Sequence, residues 1–306
     1  MKIAIIGTGG IGGYFGAKIA NAIKDSNDEI FFLARGEHLN KIQSSGLKLI
    51  TDNNPEIISF PDIASDSLSD FPKIDLALLC TKSYDLDDTS RKLNSITDDH
   101  SIVMPLLNGV DIAERVENHL EKGIVLPSCT YISSHIAEPG IIRQIGNDGV
   151  VVTGCPTDQP DFDLSKITTL FDRCNIKYQI QNNPHLAIWK KYLFITAFGL
   201  VTAYSGKTMA EVVNEAETTI LVTTIMNEII MLALAKGVVF PKNIIGEHLQ
   251  TAAKYDSKTS YQRDIEANRD SESDIFAATI IKMGEDLQIA TPETKKLFKS
   301  IENKNS

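Results

Sequence analysis

The chain has 306 residues, 42% hydrophobic and 23% charged, a composition that supports a packed globular body and excludes collagen-like, low-complexity and disulfide-scaffold classes. Forty acidic against 30 basic side chains give a net charge of −10, so nucleic acid and anionic membrane surfaces are disfavoured partners. The length exceeds what one hydrophobic core serves and points to two domains.

In chain order, short β-branched runs alternate with helical patterns from residue 1 to 182, the signature of βα units that build a parallel sheet. Strands are expected at 2–7, 29–34, 74–80, 101–106 and 124–130. The run Asp75-Leu-Ala-Leu-Leu-Cys80 is nearly all apolar, as a strand buried on both faces requires. Two turn-marked insertions, 46–60 and 139–154, read as short antiparallel pairs that extend the sheet at an edge. After the polar run Gln181-Asn182-Asn183-Pro184 the alternation stops. Helical patterns follow at 185–205, 209–236, 241–254, 272–286 and 292–302, with a frayed polar tail. The expected fold is therefore α/β, an N-terminal Rossmann-type doubly wound sheet (1–182) followed by an all-helical domain (183–306) for substrate binding and dimerisation.

Cys80, Cys129, Cys155 and Cys174 show no metal-ligand or redox-dithiol spacing and read as buried free thiols, so no metal site is expected. The apolar start is too short for a signal peptide, and no unbroken apolar stretch reaches the ~18–20 residues of a membrane span. A cytoplasmic protein with no membrane and no nucleic-acid partner is the expectation.

The run Lys2-Ile-Ala-Ile-Ile-Gly7-Thr8-Gly9-Gly10-Ile11-Gly12 joins a strand, a GxGxxG turn and a helix start. Gly7 permits the sharp turn, Gly9 admits a pyrophosphate close to the backbone, and Gly12 lets helix and strand pack. A glycine-rich turn alone is weak evidence, but here the strand and the helix stand on both sides of it, as dinucleotide binding needs. Gly7, Thr8, Gly9, Gly10, Ile11 and Gly12 are the expected cofactor loop. The second strand closes on Phe31-Phe-Leu-Ala34-Arg35, with no acid to hold ribose hydroxyls and an arginine suited to a 2′-phosphate, which favours NADP(H) over NAD(H). Lys82 follows the next strand and adds positive charge at the same sheet edge.

Four further segments stand in order behind this loop: Leu79-Cys-Thr-Lys82, Leu106-Leu-Asn108-Gly109, Ile188-Trp189-Lys190-Lys191, and Ser260-Tyr-Gln-Arg-Asp264 followed by Arg269-Asp-Ser-Glu272. Together they resemble the ketopantoate reductase (2-dehydropantoate 2-reductase) family across almost the whole chain. The resemblance implies NADPH-dependent reduction of a 2-oxo acid to a 2-hydroxy acid, the namesake reaction leading to pantoate. It places the general acid on Lys191, a cofactor and substrate contact on Asn108, a substrate carboxylate contact on Ser260 and a ribose-orienting carboxylate on Glu272. Asp264 receives no chemistry, and a homodimer is one assembly the resemblance allows.

The chain departs from the family pattern at Ile195 and Gly199, four and eight residues after Lys191 on one helix face, where the namesake enzymes carry asparagines. These substrate-lining positions then offer methyl groups and open volume in place of two amides, which points to a bulkier or more apolar 2-oxo acid. Two other readings stay open: an NADP-linked reductase of a 3-hydroxy acid or an imine, and a non-catalytic NADPH-binding sensor.

Overall fold

In a computed structural model, described for residues 1–268 and 272–305, the chain divides into two compact units, Met1–Pro184 and the residues from His185 onward. The strands of the first unit are β1 (Lys2–Ile6), β2 (Glu29–Leu33), β3 (Leu47–Ile50), β4 (Ile57–Ser59), β5 (Ile63–Ser65), β6 (Leu76–Leu79) and β7 (Ile102–Pro105). They continue with β8 (Ile124–Val125), β9 (Ser128–Tyr131), β10 (Ser134–Glu138), β11 (Ile141–Gln144), β12 (Val150–Thr153) and β13 (Lys177–Ile180). Six of them form a parallel sheet in the order β5-β2-β1-β6-β7-β8, which reverses direction between β1 and β6. Every residue of β6 and β7 is buried, as a sheet covered on both faces demands. The helices of this unit are α1 (Gly10–Ile23), α2 (Gly36–Ser45), α3 (Leu86–Leu93), α4 (Ile112–Glu117) and α5 (Ser165–Arg173).

Three features differ from the sequence expectation. The segment 124–130 is two strands: β8 pairs in parallel with β7, and β9 pairs antiparallel with β12 in a separate three-stranded sheet. Pro127 lies between them and has no N–H to continue the ladder after the Leu126 N–H has bonded Val103 O at 2.9 Å. The two insertions do not extend the main sheet. Strands β3 and β4 of the first and β11 of the second join β10 in a four-stranded sheet of order β10-β11-β3-β4, because β11 pairs in parallel with β3, while β12 of the second enters the three-stranded sheet. The three-residue β5 and the mostly exposed β13 were too short or too polar to show an alternation.

The second unit holds α6 (Pro184–Ser205), α7 (Met209–Asn214), α8 (Ala216–Ala235), α9 (Ile244–Ala252), α10 (Ser260–Glu266), α11 (Thr279–Leu287) and α12 (Pro292–Asn305). The expected helix 209–236 breaks at Glu215, which adopts extended φ/ψ of −115°/131°. The Thr218 and Thr219 hydroxyls bond the Val212 carbonyl at 2.7 and 3.1 Å and satisfy the broken end, so no glycine or proline is needed there. The carboxylate of Glu228, 8% exposed on α8, accepts from the Glu293 N–H, the Thr294 N–H and the Thr294 hydroxyl, and so caps α12. Helices α6 and α8 are long and apolar enough on average to cross a membrane, with mean hydropathy 1.3 and 1.7. Neither is an unbroken apolar run, because Lys190 and Lys191 interrupt α6 and Glu228 interrupts α8. Within this unit α6 is largely buried, the environment of a core helix.

Candidate cofactor loop and lysine-helix site

The parallel register aligns the carboxyl ends of four neighbouring strands. Ile6 lies opposite Leu33 and Leu79, and Leu79 opposite Pro105, so the segments after β2, β1, β6 and β7 leave the same edge of the sheet. That edge, beside the reversal in strand order, is where ligands of doubly wound sheets bind. It carries the glycine loop, Arg35, Lys82 and Asn108.

The loop glycines divide by what surrounds them. Gly7 has φ +94°, and a Cβ there would lie 3.0 Å from the Cys80 carbonyl oxygen. At Gly10 a Cβ would come within 2.3 Å of Ser134 O, and at Gly12 within 2.0 Å of Gly7 O. Gly9 has no atom within 4 Å of such a position. Gly9 is also the N-cap of α1, has no side chain to accept from the first turn, and is followed by no acid there. Ile11, half-buried, lies in that first turn. The helix therefore presents its first N–H groups and positive end beside an open space, a fit to a phosphate. Thr8 is 2% exposed, and its N–H donates to Leu33 O at 3.1 Å.

Arg35 is the N-cap of α2 and, with its side chain 72% exposed, forms an ion pair with Asp85. Asp85 closes the 3-10 turn Ser83–Asp85 whose N-cap is Lys82. Nothing in the sequence ties Asp85 to Arg35 across fifty positions. Asn108 is half-buried ahead of Gly109, whose φ of +131° suits glycine.

In the second unit the other expected residues gather around α6. Trp189 and Tyr192 are buried and pack edge-to-face at 6.2 Å, which fixes the rotation of the helix and leaves Lys190 and Lys191 half-buried. Lys190 is one turn before Phe194, whose ring packs on His248 of α9 at 5.4 Å. Burial pushes the His248 imidazole down to about 4, with the Lys190 charge as a lesser cause, so it is neutral beside Lys190 at neutral pH. Lys191 leads the adjoining stripe of Ile195 and Gly199.

The Tyr192 hydroxyl donates to Ile275 O at 2.5 Å, in a π-helical turn, Asp274–Ala278, that begins two residues after Glu272. Thr202 and Thr259 hydroxyls lie 2.9 Å apart, joining α6 to the N-terminus of α10, where Ser260 is exposed at the first helical position. Lys191, Gly199, Ser260 and Glu272 thus sit on three elements tied together by hydroxyl groups. Arg269, Asp270 and Ser271 lie outside the described residues; Asp264 is half-buried on α10. The open volume expected at Gly199 is not there. Phe276 and the Cβ of Tyr261 close over it at 3.7 Å, in ordinary contact with the position a Cβ would take. The π turn that brings Phe276 to this place has no signature in periodicity.

The family model described as Ketopantoate reductase PanE/ApbA matches residues 3–157, and its C-terminal counterpart matches residues 183–305. A 2-dehydropantoate 2-reductase of Mesorhizobium japonicum is 25% identical over 321 aligned residues, spanning 95% of this chain and 94% of that protein. Among solved structures, the PanE/ApbA family ketopantoate reductase of Ralstonia eutropha superposes with a TM-score of 0.87 at 25% identity, covering 100% of this chain and 99% of that one. The 2-dehydropantoate 2-reductase of Porphyromonas gingivalis gives 0.82 at 25% identity, covering 98% and 99%. With family models matching 3–157 and 183–305, most of both units, the chain belongs to the ketopantoate reductase PanE/ApbA family.

Proposed function

We propose that this protein is an oxidoreductase that reduces a 2-oxo acid to a 2-hydroxy acid with NADPH, and that Lys191 is its general acid. The observation that carries the reading is the open α1 N-terminus at Gly9, at the carboxyl edge of the sheet, in a chain of this family. The cofactor supplies hydride to the carbonyl carbon. The carbonyl oxygen then needs a proton, and an ammonium group both donates it and offsets the developing negative charge. Asn108 and Glu272 orient the cofactor, and Ser260 receives the substrate carboxylate. Four cysteines, none of them in a disulfide among the described residues, suit a reducing, cytoplasmic compartment. The decisive assay follows NADPH oxidation against panels of 2-oxo acids, 3-oxo acids and imines. Turnover only with the latter two, or tight NADPH binding with no turnover at all, overturns the reading.

Preference for NADPH rests on Arg35, which offers a guanidinium fork to a 2′-phosphate after an exchange with the Asp85 carboxylate. One charge-assisted hydrogen bond contributes about 1.5–3 kcal/mol, so NADPH should bind at least about tenfold more tightly than NADH. Arg35→Ala should bring the two Kd values within about threefold of each other by removing that contact. Calorimetric titration of both cofactors checks this; equal affinities in the parent refute it.

The substrate side chain follows from Ile195 and Gly199 together with Phe276, which make the stripe beyond Lys191 apolar. The parent should prefer a 2-oxo acid more apolar than ketopantoate. Ile195→Asn should shift the kcat/KM ratio toward ketopantoate by about tenfold or less, the worth of one regained hydrogen bond. Gly199→Asn should add little, since its amide meets the Phe276 ring. A parent that already favours ketopantoate strongly would refute the pocket argument.

A further inference from the structure

His38, on α2, is half-buried between the glycine loop and the turn that joins β10 to β11. The Gly140 N–H donates to His38 Nδ1 at 2.9 Å, and His38 Nε2 lies 2.9 Å from the Thr8 carbonyl oxygen. A backbone N–H can only donate and a carbonyl can only accept, so the two partners select one state: Nδ1 bare, Nε2 protonated, the ring neutral. Burial holds the imidazole below its ordinary range, in the same direction.

Thr8 is held at both ends of its backbone, by Leu33 O on its N–H and by His38 on its carbonyl. The peptide joining Thr8 to Gly9 is planar and trans, so the direction of the Thr8 carbonyl fixes the opposite direction of the Gly9 N–H. Gly9 is the residue that opens onto free space. The contact at Gly10, where Ser134 O leaves no room for a Cβ, presses β10 onto the same loop.

We infer that His38 is a positioning residue for the cofactor loop, a neutral bridge that aims the Gly9 N–H at the phosphates by clamping the Thr8 carbonyl to the β10–β11 turn. This rests on the dinucleotide-binding reading above. Protonation of Nδ1 sets two donors against each other at Gly140, turns the ring and releases Thr8. Acid therefore weakens cofactor binding through His38, opposite to the effect of simply adding positive charge near an anion. The other charged or titratable groups on α2 and β10 are Glu37 and Lys41, and His135 and Glu138; all four are exposed, as is Arg35 in its ion pair with Asp85, and Arg143 of β11 is paired with Asp52.

The test is the Kd for NADPH by calorimetry, from pH 8 to 5.5, in the full-length parent and in His38→Gln, His38→Ala and His135→Gln. Glutamine can accept and donate as neutral histidine does but cannot titrate. At pH 8 His38→Gln should bind within about threefold of the parent and His38→Ala about tenfold more weakly, the scale of one or two lost hydrogen bonds. On acidification the ratio of parent Kd to His38→Gln Kd should rise by at least about threefold as the parent imidazole takes up its proton, while titration of the 2′-phosphate itself cancels in that ratio. His135→Gln should follow the parent. A flat ratio, a parent that gains affinity relative to His38→Gln in acid, or loss of the pH dependence in His135→Gln overturns the inference while leaving the functional reading intact. A parent that binds no nicotinamide dinucleotide at pH 8 overturns both. Where His38→Ala fails to fold, the glutamine series alone decides.

Discussion

Lys191→Ala should lower kcat/KM for a 2-oxo acid by about 10²–10⁴ while the Kd for NADPH stays within about threefold, the expected signature of a lost general acid. The neighbouring lysine is the internal control. Lys190 and Lys191 are both half-buried on α6, but they lead different stripes of the helix. Lys190 leads to Phe194 and the neutral His248, and Lys191 leads to Ile195 and Gly199, where Phe276 of the π turn packs. A helix interior tolerates alanine at either position, so folding does not confound the comparison. Lys190→Ala should change kcat/KM by less than about threefold, as a charge that touches no reacting atom does. Steady-state kinetics and calorimetry on the two variants decide the matter. Similar losses from both substitutions would remove Lys191 from its role.

The parts of the molecule legible in the sequence are those where a local pattern and the tertiary environment ask for the same thing. The apolar runs of β1, β6 and β7 are buried on both faces, and the GxGxxG turn stands between its strand and its helix. Arg35 could be placed at the sheet edge because it follows a strand end directly. What escaped depends on partners far apart in sequence. Asp85 meets Arg35 only because the segments after β2 and β6 leave the same edge, and His38 meets Thr8 and Gly140 only once three elements have folded. The break at Glu215 is set by threonine hydroxyls rather than by a breaker residue. At Gly199 a missing side chain suggested a void, and a ring from 77 positions away fills it. Periodicity reports which face is apolar, not which neighbour will occupy it.

The glycine loop yields the sharpest contrast between residues kept for packing and residues kept for a ligand. A Cβ at Gly12 would sit 2.0 Å from Gly7 O and 3.0 Å from the Cys80 Cβ, so the backbone of β1 or α1 must shift to admit it. Forcing atoms into a packed site costs about 1–3 kcal/mol and sometimes more, and a backbone oxygen cannot swing aside as a side chain can. Gly12→Ala should therefore lower Tm by about 2–12 °C, at roughly 2–4 °C per kcal/mol for a unit of this size, with cofactor affinity lost as a consequence. Gly9 stands opposite. Its φ of −68° and ψ of −159° suit any residue, and nothing lies within 4 Å of its Cβ position. Gly9→Ala should leave Tm unchanged or raise it slightly, by restricting the unfolded chain, a gain of about 0.4–1 kcal/mol. Its cost should fall on the ligand, with NADPH affinity reduced by about tenfold or more, because a methyl group now stands between the pyrophosphate and the α1 N–H groups that receive it. Thermal melts and NADPH titrations of the two variants separate these cases. Gly9→Ala with the parent's affinity would mean that the phosphate does not enter over this turn, and a Gly12→Ala protein with the parent's Tm would mean that the strand and the helix are not in close contact at Gly12.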